Sequence, residues 1–579
     1  MAAAAPRRLW LPGSRWAQVA LYTCVLYALG AALMPVDGFW TPDAGAKYVQ
    51  MLNVHWTGAG FNADVPYPAR EVDPEMRLVN MPFSYTYGPD GLFHTYFPLA
   101  FAVLSRGAYA LFGPRGLLVW PALGGVAAAA LSGLIAERWK PGRGWAAMAL
   151  TAFATPVLFY SQIFWEHTIA LALALAALYV LVRTEAAGPG PSVRRRLAPY
   201  TLALALVAAA GVFRPETLLF EACCLVWCGW RIFAAGSRAS RLAVGAVAAL
   251  GAGLFVAVAS RSPYAGALNA GRTDVEQRIL GHVIDPAQRA NIPRDLWERV
   301  GDVFYNIPDA GGLALAPMRY LTLVALALGL AALWARGPWR PRLLALAAVA
   351  VAVPAAINAF YPDPIRSTHG VILSAPFVLG AWALLRAGAP AKGLVTGTML
   401  ALVAAELVFF NWGTAGGREW GARGILLLYP LAAIVVGARW PARRGRSVEG
   451  PALAVLVALS VAIQARGLVQ LRAELGLASS WTGALLALPP STVVTDVWWL
   501  TSSTTPAFYR HRFLTLPAGP GRAEAADYLR RQPAAQASGL VFATSCFEGC
   551  GLPGELQAYY RLASEREVRG LWLGSVVPR

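Results

Sequence analysis

Charge is what this 579-residue chain most lacks: Asp, Glu, Lys and Arg make up 14% of it, against 57% hydrophobic residues. That balance excludes an ordinary soluble domain and points to a polytopic membrane protein. Acid is scarcer than base, 31 against 49, for a formal charge of +18. The basic residues nevertheless form no single patch, so nucleic acid is not a partner the sequence implies. The six cysteines lack the pair-of-pairs spacing of a zinc site, and no metal is assigned to them. Cys223, Cys224 and Cys228 lie in one apolar helix and read as core, whereas Cys546 and Cys550 in "CFEGC" sit where a local disulfide is one of two open readings. No fixed-period repeat is present. No clear small-x-small cleavage site precedes Asp37, so the first apolar run reads as a membrane span and not as a cleaved signal peptide.

What is present is a series of apolar runs such as "ALYTCVLYALGAALMPV", "YLTLVALALGLAALW" and "GLVTGTMLALVAAELVFF", each suited to a spanning helix. Short basic clusters alternate with them, among them Arg7, Arg8 and Arg15, Arg194 to Arg196, and Arg439, Arg443, Arg444 and Arg446. This alternation is the positive-inside signature. It puts the N-terminus in the cytoplasm and the acidic segment 37–95 outside, within a first external loop that covers 37–115. It also puts the loop 260–314 and everything after about 468 outside. The stretch 96–113 is short and carries Arg106 at its centre, a costly place for a charge, so it reads as an interfacial or re-entrant helix. Thirteen spans then remain. The expected fold is an all-α polytopic membrane protein with interfacial helices in its first external loop. A transmembrane part covers 1–467, and a small external α/β domain covers 468–579. In that domain "STVVTDVWWL" and "GLVFATSC" read as strands and "GRAEAADYLRRQ" as a helix.

The first loop opens with "DGFWTPDAGAKYVQML". Thr41 is a good N-cap and Pro42 suits the first helical position, so a short helix starts there. Asp43, Lys47 and Gln50 share one of its faces at i, i+4, i+7. An Asp43–Lys47 pair solvating an interfacial helix is one reading; a functional face is the other. Elsewhere the ionisable residues crowd the outer ends of spans: Glu166 and His167 after "YSQIFW", Arg214 and Glu216 in "FRPE", Arg366 and His369 in "YPDPIRSTHG", Arg418 and Arg423 in "GREWGARG". Each alone reads as snorkelling or an interhelical pair. Together, facing one cavity, they form an arginine-rich pocket at outer-leaflet depth, suited to an anion such as a lipid phosphate, with carboxylates for proton transfer.

The cytoplasmic N-terminus, one span, and an external loop opening with an acid on an interfacial helix resemble the GT-C class of membrane glycosyltransferases. The protein mannosyltransferase and aminoarabinose transferase branches are the nearest in kind. "PDAGAKYVQ" stands where the class carries an Asp-Glu pair, so Asp43 matches and Ala44 replaces the glutamate. "YGPDGLFHTYFPL" is similar in position to the class's lysine-proline approach to its second interfacial helix; that signature is absent, while Asp90, His94 and Pro98 are present. The resemblance implies an inverting glycosyltransferase. It would use a polyprenyl-phosphate sugar as donor and a glycan, lipid or protein hydroxyl as acceptor. It would sit in a bacterial inner membrane with its site facing the periplasm. It implies Asp43 as general base, with Asp90 and Glu166 orienting the acceptor or replacing that base. It implies Lys47, Arg214, Arg366, Arg418 and Arg423 as holders of the donor phosphate, with His94, His167, Glu216 and His369 in the same pocket. No cofactor is required, and a divalent metal is compatible with the scheme. A transporter or flippase for a lipid-linked or anionic solute, and a non-catalytic scaffold for envelope assembly, are the competing readings.

Overall fold

The computed structural model describes residues 14–58, 60–79, 85–87, 91–95, 97–186, 193–214, 217–234, 245, 253, 316–335, 337–360, 370–384, 391–405, 420–439, 449–517, 521–533, 539–546 and 550–579. The loop 260–314, and with it Asp90, Glu216, Arg366, His369 and Arg418, lies outside the described residues.

The membrane part is built of helices α1 (Ser14–Leu33), α3 (Leu99–Phe112), α4 (Val119–Trp139), α5 (Gly144–Phe153), α6 (Val157–Tyr160), α7 (His167–Ala186), α8 (Val193–Phe213) and α9 (Leu218–Phe233). After them come α10 (Ala316–Trp334), α11 (Trp339–Phe360), α12 (Val371–Ser374), α13 (Val378–Leu384), α14 (Lys392–Ala405), α15 (Leu428–Arg439) and α16 (Glu449–Leu486). Among the described residues, five helical runs are long and apolar enough to cross a membrane, accompanied by five shorter apolar helices. Small residues let these helices approach closely. Gly124, Gly125, Ala128, Ala129, Ser132 and Gly133 form a buried stripe on α4, the means by which helices pack where lipid supplies no hydrophobic drive.

The segment expected in the interface, 96–113, contains α3, which a 3₁₀ turn (Gly113–Leu118) joins to α4. Helix runs from Leu99 to Trp139, 41 residues long and apolar enough to cross. Arg106, whose position argued against a simple span, is not left to lipid. Its Nη1 donates to the carbonyls of Met51 (3.2 Å) and Leu52 (2.6 Å), which close the C-terminal turn of α2 (Pro42–Leu52). A cation there also offsets the negative end of that helix.

α2 begins as its sequence indicates, with Thr41 as N-cap accepting from the Ala44 amide and Pro42 in the first turn. It is not, however, a helix lying half-solvated in an interface: both faces are covered, and residues 44–51 are all buried. One side shares a core with the tail. The first loop carries the short strands β1 (His55–Trp56), β2 (Phe61–Asn62), β3 (Val65–Pro66), β4 (Tyr85–Tyr87) and β5 (Leu92–Thr95). After α16, strands β6 (Thr492–Thr495), β7 (Arg512–Thr515), β8 (Leu540–Ser545), β9 (Tyr560–Val568) and β10 (Leu571–Pro578) form one sheet in the order β7-β6-β8-β10-β9. β6 runs parallel to β7 and β8, and β10 antiparallel to β8 and β9. Because side chains alternate, Val493 enters the core against Trp481 and Leu485 of α16. Val494 enters the one against Ala46 and Val49 of α2. With both faces covered, every residue of β6 and β8 is buried.

The tail is therefore tied to the first loop. Phe39 donates its amide to Ser503 O (2.9 Å), Thr515 to Leu78 O (2.8 Å), and buried Asp73 accepts from Tyr67 (2.8 Å) and Tyr528 (3.0 Å). A Cβ on Gly45 would sit 1.7 Å from Ser502 O, so only glycine permits this approach of α2 to the tail. α16 runs unbroken through residue 468, where the sequence reading starts its external domain. Cys546 and Cys550 are bridged.

Candidate active site

The other side of α2 carries the charged residues. Asp43, in the first turn where a negative charge suits the helix N-terminus, points to Arg423, with Oδ2 to Nη1 at 3.6 Å. Its carboxylate keeps 39% exposure, and Arg423 keeps 19%. One turn along, Lys47 does not pair with Asp43 as a solvated surface couple. It is 2% exposed, and its Nζ donates to both oxygens of Glu166 at 2.9 and 2.8 Å. Glu166 also accepts from Arg214 Nη1 at 3.3 Å.

Glu166 sits in the irregular turn between α6 and α7, and its side chain is 1% exposed. Burial alone pushes its carboxyl up, but the charges of Lys47 and Arg214 outweigh it and hold the group below its usual range. Burial likewise draws the Lys47 ammonium down, opposed by Glu166 and Asp43. Charges withdrawn from water persist only when paired and hydrogen-bonded, and this trio meets that condition. Among Asp43, Lys47, Glu166, Arg214 and Arg423, three cations face two carboxylates, which leaves one positive charge in excess.

Aromatic rings wall the cluster. Lys47 lies over Phe97 (4.7 Å) and Trp165 (5.4 Å), and Arg423 lies over the same Trp165 (5.1 Å). Trp165 in turn stacks on His167 (4.7 Å), and Tyr160 stacks on both. Sequence reasoning missed Trp165, Tyr160 and Phe97. Their signal is only that Trp165 directly precedes Glu166 in "FWEH", and abundant interfacial aromatics obscure it.

Beside the cluster opens a small cleft of about 40 Å³. Ala170, Leu171 and Ala174 of α7, Phe220, Leu402, Leu426 and Leu427 line it, and Arg214, Arg423, His167 and Thr217 are the polar side chains at its wall. Two guanidinium groups on an apolar cleft suit an amphiphilic anion. Of the residues singled out by sequence, Asp43, Lys47, Glu166, Arg214, Arg423 and His167 come together here. His94 instead bonds Asp64 Oδ1 (2.7 Å) within the sheet of β3 (Val65–Pro66), β5 (Leu92–Thr95) and β4 (Tyr85–Tyr87).

No family model matches the chain, and no curated protein matches it. Solved structures do align with it. The archaeal oligosaccharyltransferase AglB from Archaeoglobus fulgidus, in complex with an inhibitory peptide and a dolichol-phosphate, matches over 96% of this chain and 74% of its own. The identity is 13% and the TM-score 0.42. ArnT from Cupriavidus metallidurans bound to undecaprenyl phosphate matches over 97% of this chain and 98% of its own, at 12% identity and a TM-score of 0.38.

Proposed function

We propose that the chain is a membrane glycosyltransferase that moves a sugar from a polyprenyl-phosphate donor to an acceptor hydroxyl on the outer face of the membrane. One observation carries the reading: Asp43 meets Arg423 at 3.6 Å beside an apolar cleft that a second guanidinium, Arg214, also enters. The cleft takes the start of the polyprenyl chain, and the guanidinium groups take the phosphate bidentately.

In the reaction the acceptor oxygen attacks the anomeric carbon from the face opposite the phosphate. The bond from that carbon to the phosphate oxygen breaks, and its electron pair leaves with the lipid phosphate. The acceptor proton passes to Asp43, and the anomeric centre inverts. A carboxylate is a weak base at neutral pH, so the rate rests on positioning and on cations fixed where charge develops. Asp43 has the exposure this role needs. Glu166 lacks it, with both oxygens committed, and is assigned to holding Lys47, and so α2, in place.

Sugar transfer from polyprenyl-phosphate donors by purified protein in nanodiscs tests this. Asp43→Asn should lower transfer at least a hundredfold, the range of a lost general base, with unchanged thermal unfolding. Full activity in that variant overturns the assignment.

A further inference from the structure

His167 has no role in the scheme above, yet its placement is unusual. It is 4% exposed, opens the 20-residue helix α7, and lines the cleft that Arg214 and Arg423 also line. Its ring is fixed by the stack on Trp165 and Tyr160. Among the described residues, neither Nδ1 nor Nε2 has a hydrogen-bond partner. Buried polar nitrogens are nearly always paired, because leaving one unmade is costly. A donor held rigid at the N-terminal end of a long helix, in a cleft entered by two guanidinium groups, is arranged for an anion that completes it.

We propose that His167 is the third phosphate ligand of the cleft: one ring N–H donates to a non-bridging oxygen of a lipid phosphate monoester or diester, beside Arg214 and Arg423. The inference rests on the reading of the cleft as a lipid-phosphate site and adds to it the residue that recognises the headgroup. Trp165 thereby couples the two halves of the site, since the same indole carries Arg423 on its face and stacks the imidazole. His167 makes no proton transfer in this role. It binds and orients.

The test is binding of undecaprenyl phosphate, undecaprenol and inorganic phosphate to the full chain in detergent, for the wild type, His167→Phe and His167→Gln. Phenylalanine keeps a ring for the stack and removes the donor; glutamine keeps a donor and removes the ring. The wild type should prefer undecaprenyl phosphate over undecaprenol, and His167→Phe should lose about tenfold of that preference, the effect of one hydrogen bond to a charged group. His167→Gln should restore part of it. Affinity for undecaprenol and the unfolding temperature should stay unchanged in His167→Phe, because a residue that only packs would move those two readouts and not the headgroup preference. Undiminished preference in His167→Phe, or an equal loss for both lipids, overturns the inference while the cleft reading stands. A wild type that does not distinguish the two lipids overturns the cleft reading itself. Inorganic phosphate binding as tightly as the lipid would show the site to be one for a free anion and overturn the lipid half of the proposal.

Discussion

Removing Glu166 should strand Lys47, and the size of the effect can be worked from the geometry. At 2.8 Å and an effective dielectric constant of about 20, the pair attracts by roughly 6 kcal/mol. Burial of the two ions costs several kcal/mol each, so the intact pair contributes little net stability. Glu166→Gln removes the attraction and leaves the cost, for which about 3–5 kcal/mol is the usual penalty. Lys47 can escape by shedding its proton. From an ordinary value of about 10.4, that costs about 4.6 kcal/mol at pH 7, which caps the deficit. The cap gives the prediction a distinguishing sign. In Glu166→Gln the folded lysine is neutral and the unfolded one protonated, so the unfolded state binds one more proton and stability rises with pH. The deficit should shrink by about 1.4 kcal/mol per pH unit between 7 and 9. The double variant Lys47→Met/Glu166→Met should recover most of the loss. The assay is reversible unfolding by SDS titration in mixed micelles at several pH values. A deficit below about 1 kcal/mol, or one independent of pH, would refute the account of a fully desolvated pair.

Gly45→Ala should uncouple α2 from the tail, because the new methyl would lie 1.7 Å from the Ser502 carbonyl and backbone cannot yield cheaply; unfolding at least 2 kcal/mol easier, about the scale of core overpacking, is expected in the same assay. Tyr528→Phe should cost about 1–3 kcal/mol by removing a donor to buried Asp73, with burial and Asp73 holding the Tyr528 phenol up at about 12 and so neutral throughout the working range. His511 accepts from the Ser491 amide at Nδ1 (3.3 Å) and donates to Leu485 O at Nε2 (2.9 Å), an arrangement only the neutral ring can make. Burial holds its folded pKa below 6.5, so the unfolded state takes up more protons in acid and stability falls as pH drops below about 6.5. Unfolding temperatures followed from pH 7.5 to 5 should show this slope flattened in His511→Gln; parallel curves would count against it.

The local parts of this structure were legible. Thr41 and Pro42 announce α2, and the runs at 491–500, 521–532 and 539–546 announce β6, α17 (Gly521–Arg530) and β8, because caps and periodicity act over a few residues. Long-range pairing was not. The i, i+4 spacing of Asp43 and Lys47 offered an obvious local partner, yet Lys47 reaches Glu166 across 119 residues and Asp43 faces Arg423. Spacing reports which residues share a helix face, not whether that face meets water or protein. The depth of α2 depends on the tail that covers its other side, and Gly45 is the one residue in the motif that hints at such an approach.

A structure determined with undecaprenyl phosphate bound tests the central claim most directly. Phosphate oxygens should lie roughly 3 Å from guanidinium nitrogens of both Arg423 and Arg214, with the chain descending along Leu171 and Phe220. A headgroup bound elsewhere, with Asp43 and Arg423 still closed on each other and the cleft empty, would contradict it.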